Sequence, residues 1–323
     1  MFRSMLERAR EQVKDPISFI SSSGLFIFLA ALFLYFSIAS PHFLNPRNFI
    51  NILTHVSVIG IIASAMTFVI IGRGPDLSVG AIAAMMGSVQ ANLVLMNGFP
   101  WFIGMIAGII IGVGVGFLNG LIIVKFNLSP LIVTLGMMNV VRGLCFVLTD
   151  GLAHFINVPG LIYLGRGSWF GIPISIIILI ASFVIFDFIS KKTVFGRHVY
   201  ASGGNRTAAR LAGINVDRVG ITIFALSGFM AAVAGIIVVG IGGAAIPSLG
   251  ESYPLDAITA VLLGGTSLAG GAGSVRKTFL GVIIIGIMNN GMALLNVQTF
   301  WQITAKGTLL LAAVLLDGLR NRK

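Results

Sequence analysis

Charge is what this sequence has least of. Asp, Glu, Lys and Arg make up 10% of its 323 residues, against roughly 25% in ordinary soluble chains. Hydrophobic residues make up 57%, and the mean hydropathy is +1.02. So few charges cannot cover a water-facing surface, which excludes a soluble globular fold and leaves a bilayer as the surroundings. Cysteine is nearly absent as well. The single Cys145 lies in an apolar run, can form no intrachain disulfide, and reads as a packing residue. Also missing are the G-x-x-x-x-G-K-[ST] phosphate loop, the H-E-x-x-H zinc helix and the G-x-S-x-G nucleophile elbow. His42, His55, His154 and His198 are scattered without metal-ligand spacing. No catalytic residue, metal or cofactor is therefore expected, and a membrane enzyme is disfavoured.

What is present is a series of apolar runs at about 25–40, 56–72, 79–96, 101–124, 131–149, 172–190, 219–243, 257–269, 278–295 and 300–316. They are bounded by charges, Pro, Asn or Gly clusters. A helical crossing needs about 20 mostly apolar residues, and ten would use roughly 200 positions, so no separate soluble domain fits. Barrel strands would be shorter and would alternate in polarity. The expected fold is an all-α membrane protein of about ten transmembrane helices, with residues 1–323 forming one domain.

Lys and Arg are retained in cytoplasmic loops, and their placement orients the chain. Arg3, Arg8, Arg10, Lys14, Arg73, Lys125, Lys191, Lys192, Arg197, Arg206, Arg210, Arg218, Arg276, Lys277, Arg320, Arg322 and Lys323 fall on one side of the spans. Arg47 and Arg166 fall on the other, and Arg142 and Lys306 within or near spans. Both termini are thus expected in the cytoplasm, with tails at 1–23 and 318–323. The formal net charge of +11 is topological rather than a nucleic-acid patch. The basic residues ahead of the first apolar stretch resemble a secretory signal, but nine further apolar segments follow, and a retained anchor is expected.

Two connections exceed a tight turn, 150–171 outside and 191–218 inside. In the inner one, Asn205 is an N-cap residue and Gly213 a C-terminal glycine, and they flank tolerable helix formers. This predicts a helix of about two turns with Arg206 and Arg210 on one face and a small apolar surface from Ala209 and Leu211. Such a helix suits docking, with a plain solvated linker as the lesser alternative.

Of the 41 glycines, Gly104, Gly108, Gly112, Gly116 and Gly120 recur every fourth position, which permits close helix contact. Polar groups at span ends include Asp76, Asn119, Asp256, Asn289 and Asn290. Polarity in lipid usually faces a bundle interior or a wet cavity, so each is a candidate pathway or gate residue, with interhelical hydrogen bonding as the alternative. Asp76 and Ser78 sit in Gly74-Pro75-Asp76-Leu77-Ser78-Val79-Gly80, where Gly and Pro break the helix and free backbone groups that need a polar lining. Pro254-Leu255-Asp256 leads another apolar helix from the opposite side. Asn119-Gly120 and Asn290-Gly291 echo each other, which suggests that spans two to five and seven to ten form an inverted repeat.

Three stretches carry a resemblance when taken in order. They are Asp76-Leu77-Ser78-Val79-Gly80; Phe195-Gly196-Arg197 through Gly203-Gly204-Asn205 to Ala208-Ala209-Arg210-Leu211-Ala212-Gly213-Ile214-Asn215-Val216; and Leu255-Asp256-Ala257-Ile258 with Leu263-Gly264-Gly265-Thr266-Ser267-Leu268-Ala269-Gly270-Gly271. From about Asn45 to Asp317 the chain resembles the permease subunit of bacterial ribose-type sugar ABC importers. The resemblance implies a multi-pass protein of the bacterial inner membrane that passes a sugar or sugar-like solute. It also implies a second permease subunit, identical or related, cytoplasmic ATP-binding subunits and a periplasmic sugar-binding protein. Gly203, Gly204, Asn205, Arg206, Ala208, Ala209, Arg210 and Gly213 would then form the cytoplasmic coupling helix that seats in the ATPase. The chain departs from the family pattern at Arg73, Pro75, Thr207 and Pro254. An autonomous ion-coupled secondary carrier of a small polar solute is the rival, with only Asp76, Asp256, Arg142 and Lys306 to serve it. Neither reading calls for nucleic acid.

Overall fold

The computed structural model describes residues 16–72 and 74–320, with the backbone alone for 16–23 and 320. Arg73, most of the expected N-terminal tail and residues 321–323 lie outside the described residues. Among the described residues thirteen α-helices follow one another: α1 Pro16–Ala39, α2 Pro46–Ile71, α3 Val79–Gln90, α4 Trp101–Phe126, α5 Pro130–Leu148, α6 Pro159–Arg166, α7 Ile174–Lys192, α8 Val194–Gly204, α9 Arg206–Leu211, α10 Val216–Gly242, α11 Tyr253–Leu263, α12 Val275–Leu294 and α13 Thr299–Arg320. A π-helical segment, Ala91–Met96, continues α3. The strands are two-residue pieces: β1 His154–Phe155 pairs antiparallel with β4 Ala244–Ala245, and β2 Ser168–Trp169 with β3 Ile172–Pro173.

Among the described residues eight helical segments are long and apolar enough to cross a membrane, and two shorter apolar ones, Gly24–Ala39 and Tyr253–Leu263, bring the set to ten. Local chemistry sets their ends. Pro46, Pro130 and Pro159 open helices at their first position, where the missing N–H costs nothing. The Asn45, Thr193, Asn205 and Asn215 side chains accept from backbone N–H groups of the turns they start.

Four boundaries differ from the sequence expectation. Helix α1 begins at Pro16, so residues 16–23 are helical rather than tail. The outer connection carries α6, and the inner one carries α8 as well as the expected short helix. The expected span 257–269 is instead the 11-residue α11, about 16 Å long at 1.5 Å per residue, half of a hydrocarbon core about 30 Å thick. It stops because Gly265 adopts φ +77°, a left-handed conformation that glycine takes freely. The chain then turns back, and Gly271 N donates to Ile71 O at 2.8 Å.

Helix α2 is the axis of the bundle, buried without interruption from Val56 to Ile71, and every residue of α3 is buried. The α4 glycines at 104, 108, 112, 116 and 120 are all buried, packing on α3 through Gln90, Met86 and Ile82 and on α10 through Gly228, Phe224 and Ile221. Partner choice repeats between halves. α2 packs on α12 and α11, while α10 packs on α4 and α3; α3 packs on α4 and α5 as α11 does on α12 and α13. The first helices of the halves run in opposite senses, with Gly72 at the end of α2 against Ile223 near the start of α10. These are the partnerships of an inverted pair.

Candidate functional site

Two places gather the residues singled out in the sequence. The first is the middle of the bundle, where the broken helices α3 and α11 begin. Residues 74–78 fold back along α2, so that Asp76 N comes within 3.5 Å of Met66 Sδ, more than a helical turn before the end of α2. Asp76 is fully buried. Its Oδ1 accepts from Ser78 N at 2.9 Å and Ser78 Oγ at 2.6 Å, and its Oδ2 accepts from Ser227 Oγ of α10 at 2.8 Å. Asn119 of α4 donates from Nδ2 to Ser78 Oγ at 2.9 Å. Thr134 of α5 completes the lining, accepting from Leu77 N at 3.1 Å with its hydroxyl 3.3 Å from Pro75 O. Thr134 and Asp76 thus take backbone N–H groups of the break, side chains from α4 and α10 hold Ser78 and Asp76 in turn, and a carboxylate sits at the positive end of α3.

The second break, between α10 and α11, is held by different chemistry. Asp256 lies in the first turn of α11, 4% exposed, with Lys306 Nζ of α13 3.0 Å from its Oδ2. Arg142 of α5 donates from Nη1 to Pro247 O and Leu249 O in the linker. The two breaks touch: a Cβ on Gly80 would run into Gly250 O and lie 3.1 Å from Pro254. Two half-helix starts therefore meet inside the bundle, the arrangement in which transporters place polar sites.

Asp76, Ser78 and Asn119 are one cluster, while Asp256 belongs to a separate ion pair. Asn290 is elsewhere, exchanging amide hydrogen bonds of 3.0 and 2.8 Å with Asn48 and so tying α12 to α2. Asn289 lies beside it on α12, its Oδ1 buried without a partner. Sequence reading missed Ser227 and Thr134 because Ser and Thr inside an apolar run carry no positional signal, and Asn48 because it lies in the connection ahead of the run at 56–72. Among the described residues no group of three or more His, Cys, Asp or Glu is placed to hold a metal.

The second place is the end of the bundle where the chain collects its basic loops. Helix α8 runs to Gly204, so Gly203 and Gly204 close α8 rather than open the docking helix. Gly203 is buried so tightly that a Cβ would strike Ile71 O, and it lies against Gly271. Helix α9 starts as expected, with Asn205 Oδ1 accepting from Ala208 N at 3.0 Å, and ends at Gly213 with φ +83°. Ala209, expected on the docking face, is 5% exposed. It faces inward, and Ile214 N donates to its carbonyl where the chain turns out of α9. Arg206 and Arg210 share Asp217 at 3.9 and 2.7 Å. What α9 presents outward is Thr207, Ala208, Arg210, Leu211 and Ala212, with Leu211 86% exposed.

Residues 48–316 match the sequence profile of the family described as branched-chain amino acid transport system / permease component. The chain is 46% identical over 296 residues to the ribose import permease protein of Bacillus subtilis (strain 168), covering 91% of this chain and 92% of that protein. It is 40% identical over 304 residues to the L-arabinose ABC transporter permease protein of Azospirillum brasilense, covering 94% and 89%. The ribose import permease protein of Escherichia coli (strain K12) is 39% identical over 295 residues, covering 90% and 92%. No solved structure matches.

Proposed function

Because the chain belongs to the branched-chain amino acid transport system / permease component family, we propose that it is the membrane subunit of an ATP-driven importer, passing a sugar or sugar-like solute inward. The observation that carries this reading is the 46% identity, over 91% of this chain, with a ribose import permease, a match that spans both helix breaks and the α8–α9 segment. The chain does no chemistry on the solute; ATP hydrolysis belongs to separate subunits, and a periplasmic binding protein delivers the cargo. The whole of 1–323 forms one membrane domain in the inner membrane, with the basic end, both termini and 191–218 in the cytoplasm.

Within this reading, α9 seats in an ATP-binding subunit through its outward residues, with Asn205 and Gly213 fixing its ends and Gly203, Gly204 and Ala209 supporting it from behind. Asp76, Ser78 and Asn119 on one side and Asp256 with Lys306 on the other hold the paired half-helix starts, whose separation or approach would gate the path. A second permease subunit, identical or related, completes the path; the sides of α5 and α13, which are largely bare in this chain, are available to it. The relatives are importer permeases, and they do not support the rival ion-coupled carrier.

The test is uptake of labelled ribose and arabinose by cells expressing this chain with its cognate ATP-binding and binding-protein subunits, and by the same cells lacking it. Uptake that needs all three supports the reading. Solute accumulation by proteoliposomes containing this chain alone, driven by an ion gradient, would establish the carrier instead.

A further inference from the structure

A groove of about 480 Å³ opens between α7 and α12 at the basic end of the bundle, away from both helix breaks and from α9. Its floor is apolar, closed by the edge-to-face pair Phe183 and Phe279, whose ring centroids lie 5.0 Å apart. Along α7, Ile180, Val184 and Phe188 stand four residues apart and are 50%, 62% and 60% exposed, which makes a continuous apolar stripe on one helix face. The stripe ends in charge. Lys191, Lys192 and Arg276 line the mouth with a single carboxylate, Asp187, among them. Asp187 is 14% exposed and holds Lys191 Nζ at 2.6 Å and Arg276 Nε at 2.9 Å. Both cations remain accessible, at 43% and 73% of their side-chain surface, and Lys192 is exposed beside them.

We propose that this groove is a binding site for an anionic phospholipid, its phosphate held by Lys191, Lys192 and Arg276 and one acyl chain lying along Ile180, Val184 and Phe188. The separation of chemistry along one groove matches an amphiphile: three cations against one carboxylate at the head, apolar surface alone below. A basic pocket between transmembrane helices at the cytoplasmic side is the usual setting for an anionic headgroup. Asp187 acts as a positioning residue, fixing two flexible cations in one place before the lipid arrives and so reducing the ordering cost of binding. The assignment rests on the proposed cytoplasmic placement of the basic end, because the anionic leaflet faces that way.

Native mass spectrometry of the purified full-length chain in detergent reads lipid binding without reference to transport or orientation, so its failure is distinct from failure of the importer reading. The titrants are phosphatidylglycerol, phosphatidylcholine with the same acyl chains, and inorganic phosphate. Expected are adducts with phosphatidylglycerol at concentrations where phosphatidylcholine gives none, and no displacement by phosphate at the lipid's own concentration. Lys192→Gln with Arg276→Gln leaves Asp187 paired with Lys191 and should weaken the anionic lipid about fivefold for each charge removed. Val184→Asn should weaken it while keeping the preference over phosphatidylcholine. Equal binding of the two lipids, an unchanged preference in the double variant, or full competition by phosphate would overturn the site. So would a disulfide between two copies carrying Val184→Cys in a Cys145→Ser background, because the groove would then be a contact between subunits.

Discussion

Removing the carboxylate of Asp76 tests whether the first helix break is held by its own side chains. Three donors converge on that group, Ser78 N, Ser78 Oγ and Ser227 Oγ, all fully or almost fully buried. In Asp76→Ala the Ser227 hydroxyl can turn to a backbone carbonyl a turn earlier in α10, but Ser78 N cannot move, and the helix start loses its cap at about 1 kcal/mol. Two further buried hydrogen bonds to a carboxylate, worth roughly 1 kcal/mol each after rearrangement, bring the expected loss to about 3 kcal/mol. Asp76→Asn keeps an acceptor for Ser78 N and turns an amide toward Ser227 Oγ, which can accept, so its loss should be about 1 kcal/mol. Ser227→Ala in the Asn background should then cost less than in the wild type, as expected for partners in contact. The assay is the fraction of chain remaining monodisperse after heating, read beside uptake in the assembled importer. The expected order of stability is wild type, Asn, Ala, with uptake following folded amount. An Ala variant as stable as wild type would refute the supporting network. An Asn variant that is stable and assembled but unable to transport would show that the carboxylate acts in the path or gate.

Three other outcomes are expected. Gly80→Val must push α3 from the Gly250 carbonyl and should cost at least about 3 kcal/mol; normal yield of that variant would show that the half-helix starts do not need to touch. Leu211→Asp should uncouple ATP hydrolysis from uptake with an unchanged folded amount, because Leu211 is exposed, whereas Ala209→Trp should lower the folded amount itself because Ala209 is buried; the reverse pattern would remove the outward face of α9 as the docking surface. In a Cys145→Ser background, an impermeant thiol reagent should label Ser168→Cys in intact cells and Ala201→Cys only after the membrane is opened, both positions being exposed; labelling of position 201 from outside would invert the topology.

Much of the fold was legible because bilayer thickness sets a length that apolar runs must meet. The glycines of α4 could be placed from spacing alone, since only a small residue every fourth position permits such close contact. The cap of α9 at Asn205 was equally local: one side chain, three residues, one backbone N–H. Both carboxylates at the helix breaks could be found beside their prolines. Their partners could not. Ser227 lies 151 positions from Asp76, Lys306 lies 50 from Asp256, and Asn48 lies 242 from Asn290, and no periodicity links residues so far apart. Nor could the sequence say that α2 is wrapped on all sides while α13 is nearly bare, because lipid and protein interior are equally apolar and an embedded helix shows no polar face to set its rotation. The inward turn of Ala209 has the same origin: it depends on what the rest of the chain packs there, which only the assembled bundle decides.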